Sequence, residues 1–230
     1  MRNAVLFFLT LIFVAQAKPR LILNSGIGGN ISHLKAHLPD TIDLEKAELL
    51  PSASLGISLE ARFNDYLGLQ LGALTETRGS NLHGIVQRYW IGLFPDSVAQ
   101  YNISNQYLQV PLQLKVLIPM LFPGSVYVQV GPELGFCLMG GNSLTMRSRL
   151  GEVITVDRHG TVEQFDIGVS GALGVNYEFN PSVTIGIQGG YYLGILDTYD
   201  DSVNPELDAD VYTRSIRFGI VLSTALGGSN

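Results

Sequence analysis

The chain has 230 residues, 46% of them hydrophobic, with 26 glycines and one cysteine. Its 14 basic and 20 acidic residues give a formal net charge of −6, and no basic stripe interleaved with aromatic residues is present, which argues against nucleic-acid binding. The single Cys137 excludes an internal disulfide and a thiolate metal site.

The N-terminal segment 1–17 has the organisation of a secretory signal peptide. Arg2 precedes an apolar run over 4–14, and Ala15-Gln16-Ala17 supplies a small-x-small cleavage site. The apolar run is too short to cross a bilayer as a helix. We therefore expect 1–17 to be removed and 18–230 to form one exported domain.

Eight segments of the remaining chain alternate between apolar and polar residues. In 182–195, the odd positions are almost all apolar, whereas the even positions are polar or glycine. This two-residue periodicity predicts strands with one apolar and one polar face. In chain order, the predicted strands are 21–32, 52–63, 66–78, 106–118, 125–138, 163–178, 182–196 and 211–224.

The connections between the predicted strands alternate in length. Tight turns follow the second, fourth and sixth strands, at Asn64-Asp65, at 119–124 and at Asn180-Pro181. Long connections follow the first, third, fifth and seventh strands. Short turns on one rim and long loops on the other, with an even strand number, are typical of bacterial outer-membrane β-barrels and place both chain ends on the periplasmic rim.

The polar parity of these strands favours a membrane barrel over a soluble one. It carries glycine, serine, glutamine and asparagine with few charges, which suits a narrow packed lumen better than a face turned to water. A soluble lipocalin-like barrel would reverse the arrangement and place the oily face around a ligand. We predict that the apolar parity faces lipid.

Several charged residues nevertheless lie on the polar parity and would face the lumen. An eight-stranded barrel is just wide enough inside for its own side chains, and an unpaired buried charge costs several kcal/mol, so opposite charges there should pair. We predict a structural salt-bridged network, with a gated polar path for small solutes as the alternative. The predicted lumen residues are Glu60, Arg62, Lys115, Glu133, Asp166, Glu178 and Arg217.

Short motifs along nearly the whole mature chain carry a family resemblance. They are GGNIS at 28–32, LQLG at 69–72 leading to Arg78-Gly79, YLQVPLQLK at 107–115, VGP at 130–132, FDIG at 165–168 and GVNY at 174–177. With these motifs the chain resembles the PorT-like outer-membrane β-barrel domain family. The resemblance implies an eight-stranded outer-membrane barrel, generally without assigned chemistry, and one relative looks like an accessory of a protein-secretion system.

The sequence does not indicate catalysis. His33, His37, His83 and His159 lie in predicted loops or at strand ends, and Ser32 beside His33 would point to the opposite face of its strand. No G-x-S-x-G, H-E-x-x-H or paired-cysteine pattern is present. We therefore predict no enzymatic activity and no cofactor.

Two long loops contain candidate interaction residues. Carboxylates in the last loop are suitable ligands for Ca²⁺, but their spacing is not that of an EF-hand and we favour a solvated acidic surface; they are Asp197, Asp200, Asp201, Asp208 and Asp210. The second loop is unusually apolar, with Tyr89, Trp90 and Phe94. These residues either pack together above the membrane or form a partner-binding patch.

These features together predict an all-β protein: a single eight-stranded antiparallel transmembrane β-barrel in the bacterial outer membrane, with short periplasmic turns and long extracellular loops. Its expected partners are outer-membrane lipid and surface or secretion-system proteins, and nucleic acid is not among them. The predicted role is structural or interaction-related at the cell surface. The alternative is a narrow channel for small solutes or a secretion accessory.

Overall fold

The computed structural model describes residues 19–37, 42–86, 97–147, 153–158, 165–196 and 210–226. Its strands are β1 Arg20–His37, β2 Ile42–Arg62, β3 Leu67–Val86, β4 Ser97–Pro119, β5 Gly124–Arg147, β6 Val153–Arg158, β7 Phe165–Asn180, β8 Val183–Gly194 and β9 Asp210–Leu226. Among these described residues, no helix is both long and apolar enough to cross a membrane.

Eight of these strands close into one antiparallel barrel. Strands β1 to β5 pair in chain order, β5 pairs onward with β7, and β7, β8 and β9 follow. The ring closes where β9 pairs with β1 from Leu21↔Leu226 to His37↔Asp210. The short β6 lies outside this ring and pairs with 142–147 of β5. The predicted eight-stranded antiparallel barrel is confirmed.

The tight turns lie together at one rim of the barrel, as predicted. The side-chain Oδ1 of Asn64 accepts hydrogen bonds from the backbone N–H groups of Tyr66 and Leu67, both at 2.8 Å. Asn180 makes the same kind of turn between β7 and β8. Asparagine favours such turns because its short side chain satisfies backbone donors that the ladder leaves free.

At the opposite rim the strands run further than predicted. β1 continues to His37 and β3 to Val86, and β5 reaches Arg147, whereas the sequence pattern places their ends at 32, 78 and 138. β6 also forms within a segment that the pattern predicts to be loop. The prediction is wrong here because it uses the alternation of apolar and polar residues. That alternation ends where lipid no longer covers one face, but backbone pairing continues.

The outer face of the barrel is a continuous apolar belt. Ile27, Ile57 and Ile187 are each more than 60% exposed, and aliphatic or aromatic side chains occupy the outward positions of every strand of the ring. Soluble monomers rarely expose contiguous apolar patches above a few hundred Å². A hydrocarbon layer is the environment that such a belt requires.

A charge placed in this belt should destabilise the barrel. Ile187 lies on the outer face of β8, beside Val175 of β7 and Ile220 of β9. We expect Ile187→Arg to lower the unfolding free energy by about 2–4 kcal/mol, the cost of arginine near the bilayer midplane. Denaturant unfolding of protein refolded into lipid vesicles measures the loss.

The matched control is Ser182→Arg, which adds the same charge to an exposed position of the turn rim. We expect a cost of less than about 1 kcal/mol there, because the cost falls toward the interface. Equal losses for the two variants would contradict a lipid-facing belt.

Candidate functional site

The inward-facing positions of four strands bring five charged side chains together inside the barrel. β3 contributes Glu76 and Arg78, two residues apart and therefore on the same face, and β5, β7 and β9 contribute Glu133, Asp166 and Arg217. Four of them are at most 2% exposed, and the side chain of Arg217 is 15% exposed. We call these five residues the upper cluster.

Arg217 joins two strands of the barrel through their glutamates. Its Nε donates to Glu76 Oε2 at 2.9 Å and its Nη2 to Glu76 Oε1 at 2.7 Å. Its Nη1 donates to Glu133 Oε2 at 2.8 Å, and its Nη2 also bonds Glu133 Oε1. Each glutamate is thus bound bidentately by one guanidinium, and paired charge-assisted hydrogen bonds of this kind are among the strong ones that side chains make.

Arg78 binds the same two glutamates and adds the third carboxylate. Its Nη2 donates to Glu133 Oε1 at 3.0 Å, and its Nε bonds Glu76 Oε1. Its Nη1 donates to Asp166 Oδ2 at 2.8 Å, and the hydroxyl of Thr213 donates to the same oxygen at 2.9 Å. Three carboxylates therefore surround two guanidinium groups in one connected network.

Tyrosine rings pack against the guanidinium groups of the upper cluster. The Tyr192 ring centroid lies 3.7 Å from Arg78 Cζ and 5.2 Å from Arg217 Cζ, and the Tyr107 centroid lies 5.7 Å from Arg78 Cζ. A desolvated cation over an aromatic face is stabilised by about 2 kcal/mol. Room for Tyr192 comes from Gly168, where a Cβ atom would lie 2.5 Å from the phenol oxygen.

A second ionic group lies nearer the turn rim, and we call it the lower cluster. Glu60 accepts from Arg62 Nε through Oε1 and from Lys115 Nζ through Oε2, both at 2.8 Å. Lys115 Nζ also lies 4.3 Å from the centre of the Tyr127 ring. The phenol of Tyr127 donates to Gln188 Oε1 at 2.9 Å. One carboxylate thus holds two cations.

The two clusters are separated by polar residues and a cavity of about 120 Å³. Gln113 Nε2 from β4 donates to Ser170 Oγ from β7 at 2.9 Å across this middle level. Asn24 Nδ2 from β1 donates to Ser58 Oγ from β2 at 3.3 Å. From the turn rim upward, the lumen therefore contains the ionic lower cluster, a level of neutral polar side chains and the ionic upper cluster.

The structure groups six of the seven predicted lumen residues into these two clusters. Glu60, Arg62 and Lys115 meet in the lower cluster, and Glu133, Asp166 and Arg217 meet in the upper one. Glu178 does not join them. It lies exposed beside the turn rim and lines the mouth of the barrel.

Sequence reasoning missed two of the five members of the upper cluster, namely Glu76 and Arg78. Both lie on the same parity as Gln70 and Gly72 of β3, so the alternation could have found them. The predicted third strand, 66–78, includes both residues, but the predicted set of lumen residues does not. The roles of Tyr107 and Tyr192 depend on ring contacts between distant strands, and a parity pattern carries no such information.

The candidate interaction residues of the long loops lie largely outside the described residues. These are Tyr89, Trp90, Phe94, Asp197, Asp200, Asp201 and Asp208, and segment 1–17 is outside as well. Asp210 begins β9, where its backbone pairs with His37. Within the described ranges, no group of three or more histidine, cysteine, aspartate or glutamate residues is arranged to hold a metal ion.

Comparison with known proteins gives one family match and several similar structures. Residues 15–200 match the family described as Outer membrane protein beta-barrel domain. OprG from Pseudomonas aeruginosa is 14% identical with a TM-score of 0.49, covering 91% of this chain and 98% of that one. Ail from Yersinia pestis is 13% identical with a TM-score of 0.42, covering 89% and 99%. The comparison with curated proteins gives no match.

Packing of Tyr192 against Gly168 should be sensitive to one added methyl group. A Cβ atom at Gly168 would meet the Tyr192 phenol and the backbone oxygen of Leu193. We expect Gly168→Ala to cost about 1–3 kcal/mol, as overpacking does, because Tyr192 is displaced from Arg78. Denaturant unfolding in vesicles measures this cost.

Gly189→Ala is the control, because a Cβ atom added on this exposed outer position of β8 would have its nearest heavy-atom neighbour 3.9 Å away. We expect the control to be close to neutral. A neutral effect of Gly168→Ala as well would show that Tyr192 is not packed against the arginines in this way.

Proposed function

The chain belongs to the outer membrane protein beta-barrel domain family, and from this premise we propose that its lumen is closed by the upper cluster and that its role is structural or interaction-related at the cell surface. It is an integral outer-membrane protein, and its apolar belt embeds it in lipid.

The burial and bonding of the two arginines support a closed lumen most directly. Arg78 is fully buried and bound by Glu76, Glu133 and Asp166, and Arg217 is bound by both glutamates. Opening a path would separate these charges inside a low-dielectric interior, and breaking a buried pair costs about 3–5 kcal/mol. A solute of low affinity cannot offset that cost.

Strands that continue past the apolar belt support a role at the surface. The β3–β4 pairing continues to Val86↔Ser97 and the β4–β5 pairing to Val98↔Arg147, well beyond the upper cluster. These extensions are continuous with the strands of a barrel whose interior is cross-linked by ion pairs. We propose that the rigid interior fixes the orientation of the hairpins that it carries.

The burial of the lumen carboxylates and their bonds to arginine support a non-enzymatic role. Glu76, Glu133 and Asp166 are engaged by arginine and are buried, so none is positioned as a general base with access to a substrate. We therefore propose no catalytic function for this interior.

The second candidate function is a narrow channel, and the cavities favour it. A cavity of about 120 Å³ lies below Arg217, and a mouth of about 360 Å³ opens at the turn rim. Displacement of Arg217 would be needed to connect this space with the other side. The narrower PorT-like resemblance supports a further alternative, an accessory role in protein secretion.

Planar-bilayer recordings test the closed lumen. We expect the wild-type protein to show no unitary current steps, and the double variant Arg78→Ser/Arg217→Ser to show them, because it removes both groups that span the upper cluster. Glu178→Ser is the control, since it removes a charge at the exposed rim and should remain silent.

Heat-modifiable migration on gels checks that each variant is folded before recording. Discrete wild-type openings that depend on ion type and disappear in Glu60→Gln or Arg62→Gln would contradict the closed lumen and favour the channel. A folded but silent double variant would show that another part of the lumen closes it.

A further inference from the structure

The cavity between the two ionic clusters has walls of one charge sign. Its lining contains two charged side chains, Lys115 and Arg217, and both are basic. The remaining polar lining is uncharged and includes Asn24, Gln70, Gln113, Gln129 and Gln188. We call this cavity the central chamber.

The carboxylates that neutralise the two cations lie behind them as seen from the central chamber. Glu60, Glu76 and Glu133 are at most 2% exposed, and the chamber lining does not include them. Lys115 and Arg217 bind these carboxylates and also line the chamber, so each ion pair presents its positive end to the cavity. The upper cluster has three carboxylates for two guanidinium groups, whereas the lower cluster has two cations for one carboxylate. The excess positive charge beside the chamber is therefore at Lys115, where low-dielectric walls strengthen its attraction for an anion.

The exposure of Arg217 is consistent with this orientation. Its side chain is 15% exposed although the side chains of its partners Glu76 and Glu133 are completely covered, and it forms part of the chamber wall. Four of the five N–H donors of Arg217 bind Glu76 and Glu133, which leaves one Nη1 hydrogen to donate to a ligand. Amide groups of Gln70 and Gln129 add neutral donors around the same space.

Basic residues also line the route from the turn rim. The mouth of about 360 Å³ is lined by Arg20, Arg62 and one acidic residue, Glu178. Arg62 lines the mouth and Lys115 lines the central chamber, and both bind Glu60. The lower cluster is therefore the partition between the two cavities, with a cation on each side.

We propose that the central chamber binds a small monovalent carboxylate of about the size of acetate, which reaches the chamber from the turn rim when the bonds of Glu60 to Arg62 and Lys115 separate transiently. The ligand's oxygens accept hydrogen bonds from Arg217, Lys115 and the neighbouring amides, and the upper cluster prevents its passage onward. The proposal depends on the closed lumen only in stating that the ligand cannot pass from the chamber through the upper cluster. Binding is measured separately from conductance, so either can fail without the other.

Gly26 offers a way to fill the chamber without altering any charge. It lies on the inward parity of β1 and lines the cavity. A Cβ atom there would be 3.4 Å from the Ile220 carbonyl oxygen and 3.7 Å from Val221 Cγ2, both ordinary contacts. A leucine at this position would extend into the space that acetate needs.

The test titrates the folded barrel in detergent with sodium acetate or sodium gluconate at equal ionic strength and pH. Gluconate carries the same charge on a larger molecule. We expect acetate, but not gluconate, to raise the unfolding temperature of the barrel to a plateau, because a ligand that binds the folded state stabilises it. The NMR signals of acetate, but not those of gluconate, should broaden in the presence of the protein. Gly26→Leu should lose both responses.

Gly189→Leu is the matched control, because it places the same side chain on the lipid-facing side of β8, where space is open. It should keep the acetate response. The proposal would be overturned if the unfolding temperature of the wild type changed equally in the two salts and without reaching a plateau. It would also be overturned if folded Gly26→Leu kept the full acetate response. If Gly26→Leu does not fold, the wild-type comparison alone decides. Acetate binding by a conducting barrel would overturn the closed lumen and leave the chamber intact.

Discussion

Pairing of charge inside a narrow, water-poor lumen is the constraint on which the rest of this structure depends. Glu76, Glu133 and Asp166 face inward from three strands, and none could remain ionised there without a partner. Arg78 and Arg217 supply those partners and bond across the barrel, joining β3, β5, β7 and β9. The same bonds hold the barrel's cross-section and occupy its interior.

The remaining inward residues follow from this arrangement. Tyr192 and Tyr107 place aromatic faces against the guanidinium groups, and Gly168 on the neighbouring strand provides the room that the Tyr192 ring needs. Lys115 makes the equivalent contact with Tyr127 in the lower cluster. Outside, the strands carry aliphatic side chains that only lipid can cover. One sequence pattern thus places an ionic interior and an oily exterior on the same strands.

Much of this organisation was predictable from the sequence, and the failures have physical causes. The alternation in 182–195 identified the strand and the direction of both faces, and the turn chemistry at Asn64 and Asn180 identified the rim. Strand ends above the membrane were missed because backbone pairing there continues without an apolar face. Which inward charges meet could not be predicted, because strand tilt and register decide it. Glu60 and Glu178 share a parity, but Glu60 is buried in a cluster and Glu178 is exposed at the rim.

The most direct test of the ion-paired interior is a double-mutant cycle between Glu133 and Arg217. Unfolding free energies would be measured in lipid vesicles for the wild type, Glu133→Gln, Arg217→Gln and the double variant. If this pair closes the lumen, the two changes are strongly non-additive, with a coupling energy of about 1.5 kcal/mol or more, as for other close charge pairs. Additive losses would mean that the two side chains do not interact, and they would contradict an ion-paired interior.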